Sequence, residues 1–333
     1  MSDPILVEVL RGDRIESRHR GAVAVRDADG GAVFTLGDAS APVYPRSAVK
    51  ALQALPLIES GAADRFALTP AQIALACASH AGEPAHVETA RRMLEQCGRD
   101  VDALECGVHW PSNVEAARRL SALGETPSAL HNNCSGKHAG FVCLSCAAGV
   151  APRGYVKGGH FVQREVKAAL EAVTRTRLDD GAIDGCAIPT YAIPLDALAV
   201  GFARFGSGQG LAPARAAAAR RIREAVAAFP FFVAGAARFD TSVMTALGPR
   251  AFVKTGAEGV YCAALPELGL GVAIKCEDGA TRAAEVAMAA VIGRFLQLGD
   301  DERDALAPVF EPVLRNWSGE AVGSIRPGAT LAQ

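Results

Sequence analysis

A chain of 333 residues with 50% hydrophobic and 21% charged residues can bury a substantial core, and nothing in its composition suggests disorder. Lys+Arg number 34 and Asp+Glu 36, so a net charge of −2 leaves no basic footprint for nucleic acid, and the expected partner is a small molecule. The first eight residues carry acids where a secretory leader needs a basic and then an apolar region, and the nine cysteines are odd in number, which together point to a reduced, cytoplasmic protein without a disulfide framework.

Taken in order, residues 5–9, 22–25 and 32–36 read as short strands, with Asp29-Gly30-Gly31 turning the last two into a hairpin. After Pro45 the texture becomes helical: Val49, Leu52 and Leu55 keep one face apolar, and Pro56 should end or bend that helix. Thr69-Pro70 predicts the cap and first turn of a second helix running toward Ser79, and Glu83-Pro84 the start of a third that stops at Gly98. Residues 139–151 are nearly apolar but too short for the roughly 20 residues of a membrane helix, so they predict a buried one. Cys143 and Cys146 fall inside it and are expected in the core. Alanine-rich amphipathic segments at 161–173 and 212–229 supply scaffold. Strands return at 250–254, 259–263 and 270–275, followed by a helix at 281–298. The sequence therefore predicts an α+β fold as a single catalytic unit spanning 1–333. Its sheet strands lie mainly at 1–40 and 245–280 and its helical part at 45–240, so both chain ends form one antiparallel sheet with helices packed on it. The tail from Asp300 carries no assignable role.

Four segments could carry chemistry. In Ser47-Ala48-Val49-Lys50, residues three apart on a helix share a face, so the lysine amine could be the base that serine lacks. Lys254-Thr255-Gly256 closes a predicted strand, and a Ser-x-x-Lys helix start followed at long range by such a strand is the pattern of penicillin-recognising serine enzymes. Ala78-Ser79-His80 offers a second hydroxyl and an imidazole, although Ser-His at a helix end is also ordinary turn chemistry. The run His131 to Gly140 is the densest in polar function; Cys134 within it and Cys186 after Asp184-Gly185 could share a soft metal, but cysteines 52 positions apart match no standard zinc module.

Together, Pro45-Arg46-Ser47-Ala48-Val49-Lys50, Ala78-Ser79-His80, Asn132-Asn133-Cys134-Ser135-Gly136-Lys137-His138, Asp184-Gly185-Cys186 and Glu277-Asp278-Gly279 resemble the Rhizobium etli-type, or class 3, L-asparaginases. The resemblance implies a serine β-lactamase or transpeptidase-like fold, a homodimer, and two Ser-Lys tandems, Ser47 with Lys50 and Ser79 with Lys254. It further implies one zinc ion on Cys134, Lys137 and Cys186, supported by Asp184. Arg46, His80, Asn133 and Asp184 are the expected substrate-binding residues. Under this reading Ser47 attacks the side-chain amide of L-asparagine while Lys50 takes its proton, and zinc orients rather than activates water. Two other functions remain open: a penicillin-binding or β-lactamase-type hydrolase, and a non-catalytic amino-acid sensor.

Overall fold

The computed structural model describes residues 3–332, and the chain divides into two compact units, one made of residues 1–48, 193–207 and 242–333, the other of 49–192 and 208–241.

The first unit is built on an antiparallel sheet. Its strands run in the order Val313–Arg315, Ala321–Pro327, Ile5–Arg11, Arg14–Asp27, Leu270–Cys276, Val260–Leu265 and Phe252–Thr255, with Ala32–Leu36 also paired to Arg14–Asp27. Both chain ends thus supply the sheet, and the fold is α+β as the sequence predicts. The long Arg14–Asp27 strand changes partner midway, pairing with Ile5–Arg11 up to Arg20 and with Leu270–Cys276 from Gly21 onward. Val260–Leu265 is buried at every position, which explains its unbroken apolar sequence. Helices Leu195–Ser207 and Thr281–Phe295 pack on the sheet. The tail, to which the sequence assigns nothing, forms a helix at Asp300–Phe310, the strand Ala321–Pro327 beside Ile5–Arg11 and the edge strand Val313–Arg315 outside it.

The second unit is helical. At its centre lies Ser135–Ala147, buried from Ser135 to Ser145, with Pro70–Ala76 and Pro84–Gln96 packed against it. Thr69 caps Pro70–Ala76 through a reciprocal bond with Gln72, and Pro70 occupies the first turn, where its missing N–H costs nothing. Pro56 acts similarly: the helix Lys50–Gln53 breaks at Ala54 and restarts as Leu55–Glu59, with the proline in the new first turn. Among the described residues no helix is long and apolar enough to cross a membrane.

Candidate active site

Of the four side chains expected to be catalytic, Ser47 and Lys254 belong to the sheet unit, Lys50 and Ser79 to the helical one. In the sheet unit Arg46 takes φ +52°, a left-handed conformation uncommon for a residue with a Cβ, and a 3₁₀ turn runs over Arg46–Val49. Gly256 admits this turn, since a Cβ there would stand 2.5 Å from the Pro45 carbonyl oxygen and 3.3 Å from Ala48 Cβ. The Arg46-Ser47 turn therefore lies along the Lys254-Thr255-Gly256 strand end, bringing two of the sequence motifs together. Ser47 is half-buried, and its hydroxyl makes no hydrogen bond among the described residues of this unit. Lys254 is fully buried and donates from Nζ to the Thr255 carbonyl at 2.9 Å.

In the helical unit the sulfur, hydroxyl and amine groups converge. Lys50 is 1% exposed, and its Nζ lies 2.6 Å from the Ala78 carbonyl oxygen, 2.9 Å from Ser79 Oγ and 3.0 Å from Cys134 Sγ. The convergence follows from helix packing. A Cβ on Gly136 would stand 2.3 Å from the Leu75 carbonyl oxygen, so Pro70–Ala76 and Ser135–Ala147 meet backbone to backbone, and the chain leaving the first helix arrives beside the start of the second. Two backbone bonds fix that exit: Ser79 N–H to Val233 O at 2.9 Å and His80 N–H to Asn133 O at 3.1 Å.

His80, expected to touch substrate, is 1% exposed, and both its ring nitrogens are engaged. Nδ1 accepts from Gly82 N–H at 3.1 Å, which leaves the proton on Nε2 to donate to Ser135 Oγ at 2.8 Å. Burial, then the positive fields of His86 and Lys50, hold it well below the usual imidazole range, so it is neutral. His80 braces the Ser79 turn against the Cys134 turn. Asn132 shapes the latter, accepting from Cys134 N–H at 2.8 Å and donating to Cys106 O at 2.8 Å. The Asn133 side-chain oxygen lies 3.1 Å from Cys134 Sγ, and the Asn133 backbone N–H donates to His109 Nε2 at 2.8 Å. His109 sits in an irregular segment with no motif around it, and only the folded contact reveals its part.

Cys134 and Lys137, one helical turn apart, meet Cys186. A tight turn delivers that cysteine: the Asp184 carbonyl accepts from Ala187 N–H at 2.8 Å, the Asp184 carboxylate from Gly185 N–H at 2.7 Å, and Ala187 takes φ +72°. Lys137 Nζ donates to Cys186 Sγ at 3.1 Å. A hydrogen bond from Cys186, then the Lys50 and Lys137 charges, outweigh burial and hold Cys134 well below the usual thiol range. The same bond and burial push Cys186 up, so the pair keeps one proton, with Cys134 the thiolate. Burial opposes the charge on Lys137, but Cys134 and Cys186 outweigh it and raise its pKa. Two converging sulfurs fit a soft cation such as zinc, whereas Lys137 could become a ligand only by losing a proton those sulfurs help it keep. Among the described residues no three His, Cys, Asp or Glu side chains gather around a possible metal position.

The chain is distantly similar to several solved structures. A β-lactamase from Mycobacterium bovis is 14% identical, the alignment covering 83% of this chain and 95% of that one with a TM-score of 0.41. Mglu in its L-glutamate binding form is 18% identical over 84% of this chain, with a TM-score of 0.39, and the chain spans only 61% of Mglu's length. Comparison with curated proteins gives no match. The profile of the L-asparaginase II family, in contrast, matches residues 7–327, nearly the whole chain. The chain therefore belongs to the L-asparaginase II family and is an asparaginase-type amidohydrolase.

Proposed function

We propose that the protein hydrolyses L-asparagine to L-aspartate and ammonia through a serine acyl-enzyme, with Lys50 as the group that takes the serine proton. The observation that carries this reading is the contact of buried Lys50 Nζ with Ser79 Oγ at 2.9 Å. As an ammonium, Lys50 has three donors for its three acceptors. Once deprotonated it keeps two, for Ala78 O and Cys134 Sγ, and turns a lone pair toward the Ser79 hydroxyl. That is the arrangement a general base needs.

Ser79 Oγ attacks the side-chain amide carbon as its proton passes to Lys50. The tetrahedral intermediate collapses when Lys50 returns that proton to the departing nitrogen, ammonia leaves, and a water deprotonated by Lys50 then hydrolyses the ester. A second reading keeps Lys50 as base and makes Ser47 the nucleophile. It is favoured by the Ser47 hydroxyl, unbonded within its unit and three residues before Lys50. Lys254, on the strand beside the Ser47 turn, and Arg46 are then cations for the substrate α-carboxylate. Asn133 and Asp184 are proposed to act on substrate through the Cys134 and Cys186 turns that they shape.

Cys134 and Cys186 would hold a zinc ion, with Lys137 as a third donor, and bound zinc would supply a fixed positive charge that orients substrate. Nine cysteines, all free, support a reducing compartment, and we place the enzyme in the cytoplasm. The sequence resemblance supports a homodimer, which sedimentation would test.

An electrophilic analogue of L-asparagine, followed by intact mass and peptide mapping, tests the mechanism. A single adduct on Ser79 supports it, and one on Ser47 selects the second reading. Binding without an adduct on either serine would overturn the acyl-enzyme and favour a sensor.

A further inference from the structure

Away from this site, Cys97 closes the helix Pro84–Gln96, and Cys143 and Cys146 lie one turn apart on Ser135–Ala147, which packs against it. Cys97, whose thiol donates to Leu94 O at 3.2 Å, lines one cavity with Cys146 and Arg99, and its acidity responds to Cys143, Cys146 and Arg99. Cys143 is buried, its thiol donating to Met93 O at 3.3 Å, whereas Cys97 and Cys146 are partly exposed. The sequence expectation that both helix cysteines belong to the core holds only for Cys143. Cys97 and Cys146 instead line an open cavity of about 340 Å³ together with Arg65, Phe66 and Arg99.

We infer that Cys97 and Cys146 form a hydroperoxide-reactive dithiol, with Cys97 the attacking sulfur and Cys146 the one that resolves it to a disulfide. The Cys97 thiolate attacks one peroxide oxygen, the O–O bond breaks, and the other oxygen leaves as hydroxide or alkoxide, giving a sulfenic acid. Cys146 then attacks the Cys97 sulfur, the S–O bond breaks and, with the proton balance, water leaves. Two thiols lose two electrons, and the peroxide gains them. The cavity admits the oxidant, and Arg99 steadies negative charge on sulfur and on the departing oxygen. The neighbouring Cys143 thiol holds Cys97 below the usual thiol range against burial, with Cys146 and the charge of Arg99 adding to it. Cys143 itself is pushed up by the neighbouring Cys97 and by burial, and its thiol donates to Met93 O, so it stays protonated and is not the resolving thiol.

Titration of the purified full chain with hydrogen peroxide, alkylation under denaturing conditions and non-reducing peptide mapping would test this. The expected result is a Cys97–Cys146 cross-linked peptide formed at the lowest oxidant dose, absent in both Cys97→Ser and Cys146→Ser. In Cys146→Ser a 1,3-dicarbonyl probe should label Cys97 as the sulfenic acid. Full alkylation of Cys97 at doses that oxidise other cysteines, or a Cys97–Cys143 link in the wild type, would overturn the assignment; the wild-type map reads out even if a variant folds poorly.

Discussion

Gly136→Ala is the substitution through which packing should report on chemistry. The added methyl would lie 2.3 Å from the Leu75 carbonyl oxygen and 2.4 Å from Leu75 Cγ. The first neighbour is backbone and cannot rotate away, so the two helices must separate by about 1 Å to restore an ordinary contact. Overpacking of this kind costs about 1–3 kcal/mol, and alanine's better helix propensity returns about 1 kcal/mol, leaving a net loss of about 0–2 kcal/mol. Moving the Ala78-Ser79 exit by that amount relative to Cys134 should also lower ammonia release by about 100-fold, the usual consequence of misplacing reacting groups by an ångström. Gly293→Ala is the matched control. It lies in the exposed part of Thr281–Phe295 with nothing within 4 Å of the added Cβ, and should raise stability by about 0.5–1 kcal/mol without changing turnover. Urea unfolding and coupled ammonia detection read both effects. Wild-type midpoint and turnover in Gly136→Ala would refute the close approach as the device that assembles the site.

Three further outcomes follow from particular contacts. His86 is held below its ordinary value chiefly by burial, with its Nε2–H bonded to Phe231 O at 3.1 Å; because the unfolded imidazole binds a proton near pH 6.5 and the folded one only at lower pH, the stability it contributes is complete above that pH and falls as acid is added. His86→Gln should flatten the slope of unfolding free energy with pH below 6.5 by up to about 1.4 kcal/mol per unit, and an unchanged slope would show that the ring titrates freely. Cys186→Ser removes one of two sulfurs that could hold zinc and the thiol that bonds Cys134, so zinc affinity measured by competition with a chelating dye should fall at least about 10-fold; equal affinity would remove these sulfurs from the metal assignment. Ser79→Ala should leave the fold intact by circular dichroism while abolishing the adduct with an electrophilic asparagine analogue, and an undiminished adduct would transfer the nucleophile to Ser47.

Much of the architecture could be read from the residues because the strongest local patterns agree with tertiary packing. Alternation and turn chemistry located the strands at both chain ends, and Thr69-Pro70 and Glu83-Pro84 marked helix starts that the structure keeps. The strands at Val313–Arg315 and Ala321–Pro327 escaped notice because glycine, serine and charged residues interrupt their apolar pattern; backbone pairing of the second with Ile5–Arg11 and between the two strands themselves, rather than composition, defines them. In the site, the dense run from His131 to Gly140 was visible as chemistry, but the partner of Lys50 was not. Spacing on one helix suggested Ser47, whereas the observed bond to Ser79 depends on two helices meeting at Gly136, a distance no local periodicity encodes. The bracing roles of His80, Asn132 and His109 have the same origin.

The most direct test is steady-state ammonia release from L-asparagine, with L-glutamine alongside, by the wild type and by Lys50→Met. This substitution removes the amine while keeping most of its buried volume. The expected result is asparagine-dependent release that falls by about 100- to 10,000-fold in the variant, the range for loss of a general base, with the fold retained. Release at the wild-type rate by folded Lys50→Met would contradict the assignment of Lys50 as the proton acceptor.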